Sequence, residues 1–578
     1  MKHFSVQCLA LLASTATAAI SYPALAQQAS GTAGVASGET GGAIIVTARK
    51  REESLQDVPL SITAISGDAI IKQGVDDIRD IVSLTPGLSI SEFGSGTLVS
   101  PIIRGISQLT GGQFAENNVS TFYNGIYIQN QNLIDTTFLD IERVEVVKGP
   151  VSALYGRNAY AGVINYVTKR PSDTFEGSIR VIGDEHGRRA AIGSISGPII
   201  GDTVKARIGA RLDSSDGSFE DPVTGIDFEG YRKFAVQGAL EVALSESVNL
   251  LTTVFYANDT LDQPIRVAAL GNCGAATGAF QPAICGKLPD YDDSTVARSA
   301  NPAFDLFGAD RELLLATAEL NVTLGAVDIK SITSFGDNLY AQNRDQDGSG
   351  VGYSFRLSNG GTANLSTYTF GVSEDKSFTQ ELRASVQATD RIRATIGGFY
   401  NNYEADTQFS LYVDASPLPT GVNPIILFPI GASRNGPPPA NIQFVRLEDE
   451  EYSAFGILDI EASEQLTFSA EARYSRQRKF QNQSGGFLTI PATDPDGANG
   501  LNGNFNLWSF RFTGEYDISP SAMIYASAAK GNKAGGFNSG LVNPADVVYD
   551  PEVNWTYELG FKTDLLGGRA LFDATLFY

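Results

Sequence analysis

The chain has 578 residues with 60 glycines, 10% aromatics and only 19% charged residues, a composition outside the disordered range. Acidic residues outnumber basic ones by 65 to 42, and the net charge of −23 argues against a nucleic-acid-binding surface.

Residues 1–26 read as a secretory signal. Lys2 supplies the positive start, "CLALLASTATAAI" a short apolar run, and Ala24-Leu25-Ala26 a small-residue cleavage site. The run is too short, and too rich in Ala, Ser and Thr, for a membrane anchor. Cleavage removes Cys8 and His3. The remaining pair, Cys273 and Cys285, is in an exported protein more often one loop disulfide than a metal site. With His186 the one histidine left, a His-based zinc or triad enzyme is nearly excluded, and no nucleophile–base pattern converges elsewhere. No later stretch approaches a membrane helix in apolar length.

Residues 27–49 form a flexible segment. "QQASGTAGVASGETGG" is small and polar, yet it leads into the β-branched patch Ile44-Ile45-Val46. Residues 50–172 read as a mixed α+β globule. "GVDDIRDIVSLTPGLSI" predicts a short helix, with Asp76 able to cap it, Ile78, Ile81 and Val82 on one face, and Pro86-Gly87 as its stop. Short β runs surround it in "VPLSITAIS", "TFYNGIYIQ", "RVEVVKG" and "GVINYVTKR".

From residue 173 to 578 the helical period vanishes and about fifteen segments alternate like strands. In "TYELGFKTDL", Tyr557, Leu559, Phe561, Thr563 and Leu565 oppose Thr556, Glu558, Gly560, Lys562 and Asp564. "LTFSAEARYS" repeats the pattern from Leu466 to Ser475. A soluble sandwich also alternates. The connections decide the matter, because tight turns, such as those at 245–247, 325, 389–391 and 464–465, take turns with long loops over 261–312, 338–375, 405–450, 481–506 and 535–555. Sorting of that kind predicts a transmembrane antiparallel β-barrel, apolar outside and charged within, with the globule of 50–172 sized to fill its lumen as an α+β plug.

The motifs "IIRG" (102–105), "YNGIYI" (123–128), "DIERVEVVKGP" (140–150) and "LYGRNAYAGVINYVTKRP" (154–171) come in an order and spacing that resemble the plug of TonB-dependent outer-membrane receptors. "IYASAAKGNKAGGFN" (524–538) and residues 551–578 are similar to barrel segments of that family. The resemblance implies a plugged barrel of twenty-two strands. It implies active import of an extracellular ligand, by default a ferric siderophore, with cobalamin, heme, carbohydrates or aromatics open. It also implies the inner-membrane partner TonB, a monomer in outer-membrane lipid, and no cofactor beyond iron carried by the ligand. A passive channel and a surface-binding scaffold are the alternatives.

By the same resemblance Ile44, Ile45, Val46, Thr47 and Ala48, within residues 43–49, are the TonB box, which TonB takes as an added strand; a peripheral first strand of the plug is the alternative. Plug cations facing barrel glutamates are implied as a lock, here Arg104 and Lys148 with Glu381 and Glu558. Lys148 stands where arginine is usual, which weakens a bidentate grip to a point charge. Asn124 replaces a common aspartate, and Ala161 a glycine. Family position alone makes Phe93, Gln108, Phe114 and Asn117 candidate ligand contacts. The acidic loops 343–350 and 494–500 are expected to be polar turns, the first having Arg356 where a calcium loop needs an acid. No metal site is expected. Between Ala26 and Ala43 there is no room for a signalling domain, so a transporter without that role is expected. About fifteen strands cannot close a barrel of even count, so a barrel incomplete at its C-terminus is expected.

Overall fold

The computed structural model describes residues 44–578 apart from 94–97, 108–115, 131–132, 134–138, 186, 218, 221–226, 263–280, 283–307, 346–352, 357–361, 417–441, 485–499, 539–546 and 567–569. Residues 1–43, where a signal and a tether are expected, and Cys273, Cys285, Gln108 and Phe114 lie outside these.

The N-terminal globule is a five-stranded sheet in the spatial order Ile62–Ser66, Ile141–Lys148, Gly162–Thr168, Val119–Tyr123, Ile126–Ile128. One pair, Val119–Tyr123 with Gly162–Thr168, is parallel. The hairpin closing the sheet turns on Asn124 and Gly125, both at positive φ (49° and 82°), which is the type I′ geometry that Asn-Gly favours. The expected helix is Ile78–Ser83, with Ile78 and Ile81 fully buried. Its cap is one residue later than expected. Asp77 rather than Asp76 accepts from the first turn, and Asp80 completes a capping box. A second helix, Gly67–Gln73, begins at the Ser66 cap and ends at Gly74 (φ 67°).

Apart from four two-stranded pairs, the rest is one antiparallel sheet of seventeen strands, two of which, Gln281–Pro282 and Tyr353–Arg356, are short pieces. Fifteen long strands remain, from Glu176–Gly183 to Ala570–Phe577, as the sequence predicts. Among the described residues each of these two end strands pairs on one side only. Gaps of two to four residues, such as 201–203, 246–247, 390–391 and 462–465, alternate with gaps such as 216–230, 263–307 and 417–441. The faces divide as the alternation requires: Tyr557 and Leu559 are 53% and 55% exposed on the outer face, while Glu558 and Lys562 between and beyond them are buried. Phe468 points out and Glu471, Arg473 and Ser475 point in. No helix among the described residues is long and apolar enough to cross a membrane.

The inner face packs on the plug. One apolar cluster joins plug residues Ile78, Ile81, Ile103 and Tyr123 to Phe255, Leu313 and Leu315 of the wall. Tyr123 stacks on Phe255 at 4.8 Å between ring centroids and donates to Gln237 at 2.8 Å.

Candidate functional site: the plug and its contacts with the wall

The segment expected to hang free is docked. Ile45–Val46 pairs antiparallel with Glu53–Ser54, and Val46 and Ala48 are fully buried in a second apolar cluster with Val58, Leu60, Phe122 and Val163. Ile45 faces outward at 42% exposure. Thr47 is tied further in. Its backbone N–H donates to Glu145 Oε1 at 2.8 Å and its hydroxyl to the same carboxylate at 3.1 Å. Glu145 is itself fully buried and braced by Arg143 at 2.8 Å. β-branched residues next to a basic run find an apolar slot here, so the patch reads as core in this state.

The three residues that follow grip the wall. Arg49 donates to Asp459 at 2.5 Å and to Ser469 at 2.8 Å, and Arg51 reaches the other oxygen of Asp459. Lys50 Nζ lies 2.9 Å from Glu381, which also holds Arg383 at 2.7 Å. Burial lowers the Lys50 pKa, and Glu381 offsets that only in part. Asp459 precedes the tight turn at 462–465, so this clasp sits toward the short-turn end of the wall.

Of the four expected lock residues, two meet. Arg104 makes a short, buried ion pair with Glu558, and its guanidinium lies 4.1 Å from the Phe577 ring centroid. Arg104 holds a left-handed backbone (φ 54°), a conformation costly for a residue with a Cβ. Gly149 shows why the neighbouring joint needs glycine: with φ 92°, a Cβ there would come within 2.6 Å of Glu558 Oε1 and 2.8 Å of Arg104 Nη1. Gly156 likewise abuts the Arg473 guanidinium, 2.9 Å from where its Cβ would lie. The other two differ from expectation. Lys148 donates to the Pro86 carbonyl inside the plug at 3.0 Å, since Glu558 is already held by Arg104. Glu381 belongs to Lys50.

A third contact region lies toward the long-loop end. Arg157, from "LYGRN", enters a buried group of acids. It pairs with Asp449, lies 3.5 Å from Glu451, and approaches Glu116 at 3.9 Å. Glu116 also pairs with Lys479, whose ammonium donates to the Gly535 carbonyl at 2.8 Å. Burial opposes ionisation of Glu116, but Lys479 and Arg157 outweigh it and hold the carboxyl down to about 2. Asn130 donates to Asp375 at 2.6 Å. Asn117 is buried here and lines a narrow crevice with Glu116, Tyr127, Tyr403 and Lys479. Phe93 ends the strand Leu88–Phe93. Sequence reasoning missed Arg49, Lys50, Arg51 and Arg157. The signal was present as a basic triplet after the β-prone patch and a lone arginine in a turn motif.

A globule held inside a strand wall by buried ion pairs at both ends defines a plugged-barrel receptor. A profile of the TonB-dependent receptor plug domain matches residues 54–163, and one of the TonB-dependent receptor-like β-barrel matches 286–578. The chain belongs to the TonB-dependent receptor family, whose members are receptors and transporters rather than enzymes. It is 32% identical over 201 residues to the vitamin B12 transporter BtuB of Vibrio vulnificus, a match covering 33% of this chain and 31% of that one. It is 35% identical over 131 residues to the ferrichrome outer membrane transporter/phage receptor of Escherichia coli K12, covering 22% and 16%. These matches thus span less than a third of either relative. In fold it is similar to the ferric yersiniabactin uptake receptor FyuA of Yersinia pestis, with a TM-score of 0.70 at 18% identity over 90% of this chain and 72% of that one.

Proposed function

We propose that the protein is a monomeric outer-membrane import receptor. On this reading it takes an extracellular ligand, by default a ferric siderophore carrying its own iron, at the long-loop end of the plug. TonB captures Ile44–Ala48 as an added strand and passes the ligand inward at the expense of the proton motive force. The observation that carries the reading is the clasp: Arg49, Lys50 and Arg51 follow the captured strand directly and hold Asp459 and Glu381 of the wall. Tension on residue 48 therefore reaches the plug–wall interface within three residues. Phe93, Gln108, Phe114 and Asn117 are the proposed ligand contacts, and a Cys273–Cys285 disulfide is proposed to pin one outer loop. Related receptors are described for vitamin B12, ferrichrome and ferrioxamine B, which supports import of a metal complex.

Uptake of a labelled ferric siderophore by cells carrying the receptor is expected to stop when TonB is deleted or the proton motive force is collapsed. Surface binding should persist. Uptake that survives both treatments would favour a passive channel, and binding without uptake in untreated cells a surface scaffold.

A further inference from the structure

On the outer face of the wall, an open groove of about 570 Å³ crosses four strands. Its floor is small: Gly398 and Ala454 stand side by side in register, and both are exposed. Its rim is aromatic. Tyr400 and Tyr452 pack at 5.0 Å between centroids on one side, and Tyr474 packs with Trp508 at 4.9 Å on the other. A belt of this kind marks the boundary between hydrocarbon and headgroups. Leu382 and Ile396, 54% and 69% exposed, continue the apolar face on the short-turn side of the belt.

The groove ends in a cation. Arg476 follows Tyr474 on the same face, is exposed, and pairs with no carboxylate among the described residues. The acids around it are already engaged. Glu450 accepts from Tyr452 at 2.6 Å and Tyr400 at 3.3 Å and pairs with Arg478 at 3.4 Å. Glu448 and Glu404 share Arg446. Across the strand pair from Arg476 stands Asn506, whose carbonyl oxygen is taken by the Tyr474 hydroxyl at 2.9 Å. That bond turns the amide nitrogen, a donor, away from Tyr474. A guanidinium and an amide N–H₂ thus stand opposite one another just above an apolar trench, a donor set suited to a phosphate oxygen.

We propose that this groove binds an anionic lipid of the outer leaflet, with an acyl chain over Gly398 and Ala454 and the headgroup phosphate on Arg476 and Asn506. The surface is local. The chain as a whole is acidic, so the lipid is selected by the arginine and the trench rather than by net charge. The choice of leaflet rests on the proposed import function, in which the long loops face outward; the site itself does not depend on transport.

The test uses the full chain extracted from membranes in mild detergent and loaded with dioleoyl phosphatidic acid or dioleoyl phosphatidylcholine. Retained lipid per protein is counted by native mass spectrometry. Wild type should keep phosphatidic acid in clear preference. Arg476→Gln should lower its retention by roughly fivefold, the factor equivalent to about 1 kcal/mol for one basic residue at a lipid surface. Gly398→Leu, which fills the trench, should lower it similarly, while Lys72→Gln, exposed on the plug helix and away from the outer face of the wall, should leave it unchanged. Equal retention of both lipids by wild type, or undiminished retention by Arg476→Gln, would overturn the proposal.

Discussion

Arg104 carries more than one constraint at once. It sits at φ 54°, pairs with buried Glu558, and stacks on Phe577. Truncation to Ala leaves Glu558 buried without a cation, so Arg104→Ala should destabilise the plug–wall contact by about 3–5 kcal/mol. A double-mutant cycle with Glu558→Ala, read by denaturant melting of the plug, should recover part of that loss; additive effects would mean the pair does not couple. Glu116 makes a prediction in pH. Its carboxyl is depressed to about 2 from an ordinary 4.5, so its stabilisation is complete above 4.5 and lost as pH falls toward 2. Protection factors for hydrogen exchange at residues 117–119, which divide out the pH dependence of intrinsic exchange, should fall as pH drops through that window in wild type and stay unchanged in Glu116→Gln. These residues were unequally legible. Alternation places Glu558 and Glu381 on the inner face correctly, but it says nothing about height or azimuth. Glu381 lies in a strand of 28 residues, Thr362–Thr389, and which plug cation meets it is set by where the globule seats in three dimensions. Lys148 was misjudged for a related reason, since a long, flexible stem can satisfy itself on a carbonyl of its own domain.

At the scale of elements, the segment from Ile44 to Arg51 combines an apolar strand that docks with a basic triplet that clasps. The buried side chains hold the strand to the plug, and Arg49 and Arg51 hold its end to Asp459. Arg49→Ala with Arg51→Ala should therefore loosen the strand without unfolding the plug sheet. A spin label at Ile45→Cys, already outward-facing, is expected to gain a mobile component in that background. An unchanged spectrum would show that apolar packing alone holds it. Composition made this strand look isolated because its partners, Val58, Leu60, Phe122 and Val163, are scattered over more than a hundred residues. Periodicity in a local window cannot see such a slot. The strands of the wall are the opposite case. Most are long, many alternate as clearly as Leu501–Ser519, and their turns sort by length between the two ends, so about fifteen can be read from residue pattern alone. The helix Gly67–Gln73 went unseen because seven residues offer too little period, although Ser66 and Gly74 do mark its ends.

For the whole molecule, the fold places two kinds of contact at opposite ends of one plug. Arg49, Lys50 and Arg51 engage the wall toward its short turns, and Glu116, Arg157 and Asn130 engage it toward its long loops. The apolar cluster around Val46, Ala48 and Phe122 links the two ends, since it includes Tyr127, whose ring centroid lies 5.7 Å from the Arg157 guanidinium. On the proposed function, capture of the N-terminal strand drives import. Ile45→Pro tests it most directly, because Ile45 is outward-facing and the substitution removes an N–H needed for strand addition while sparing the buried Val46. Binding and uptake of a labelled ferric siderophore should be measured on the same cells. Binding should stay at the wild-type level while uptake falls to that of a TonB-deletion strain; uptake at the wild-type rate, or loss of binding together with uptake, would show that strand capture does not drive import.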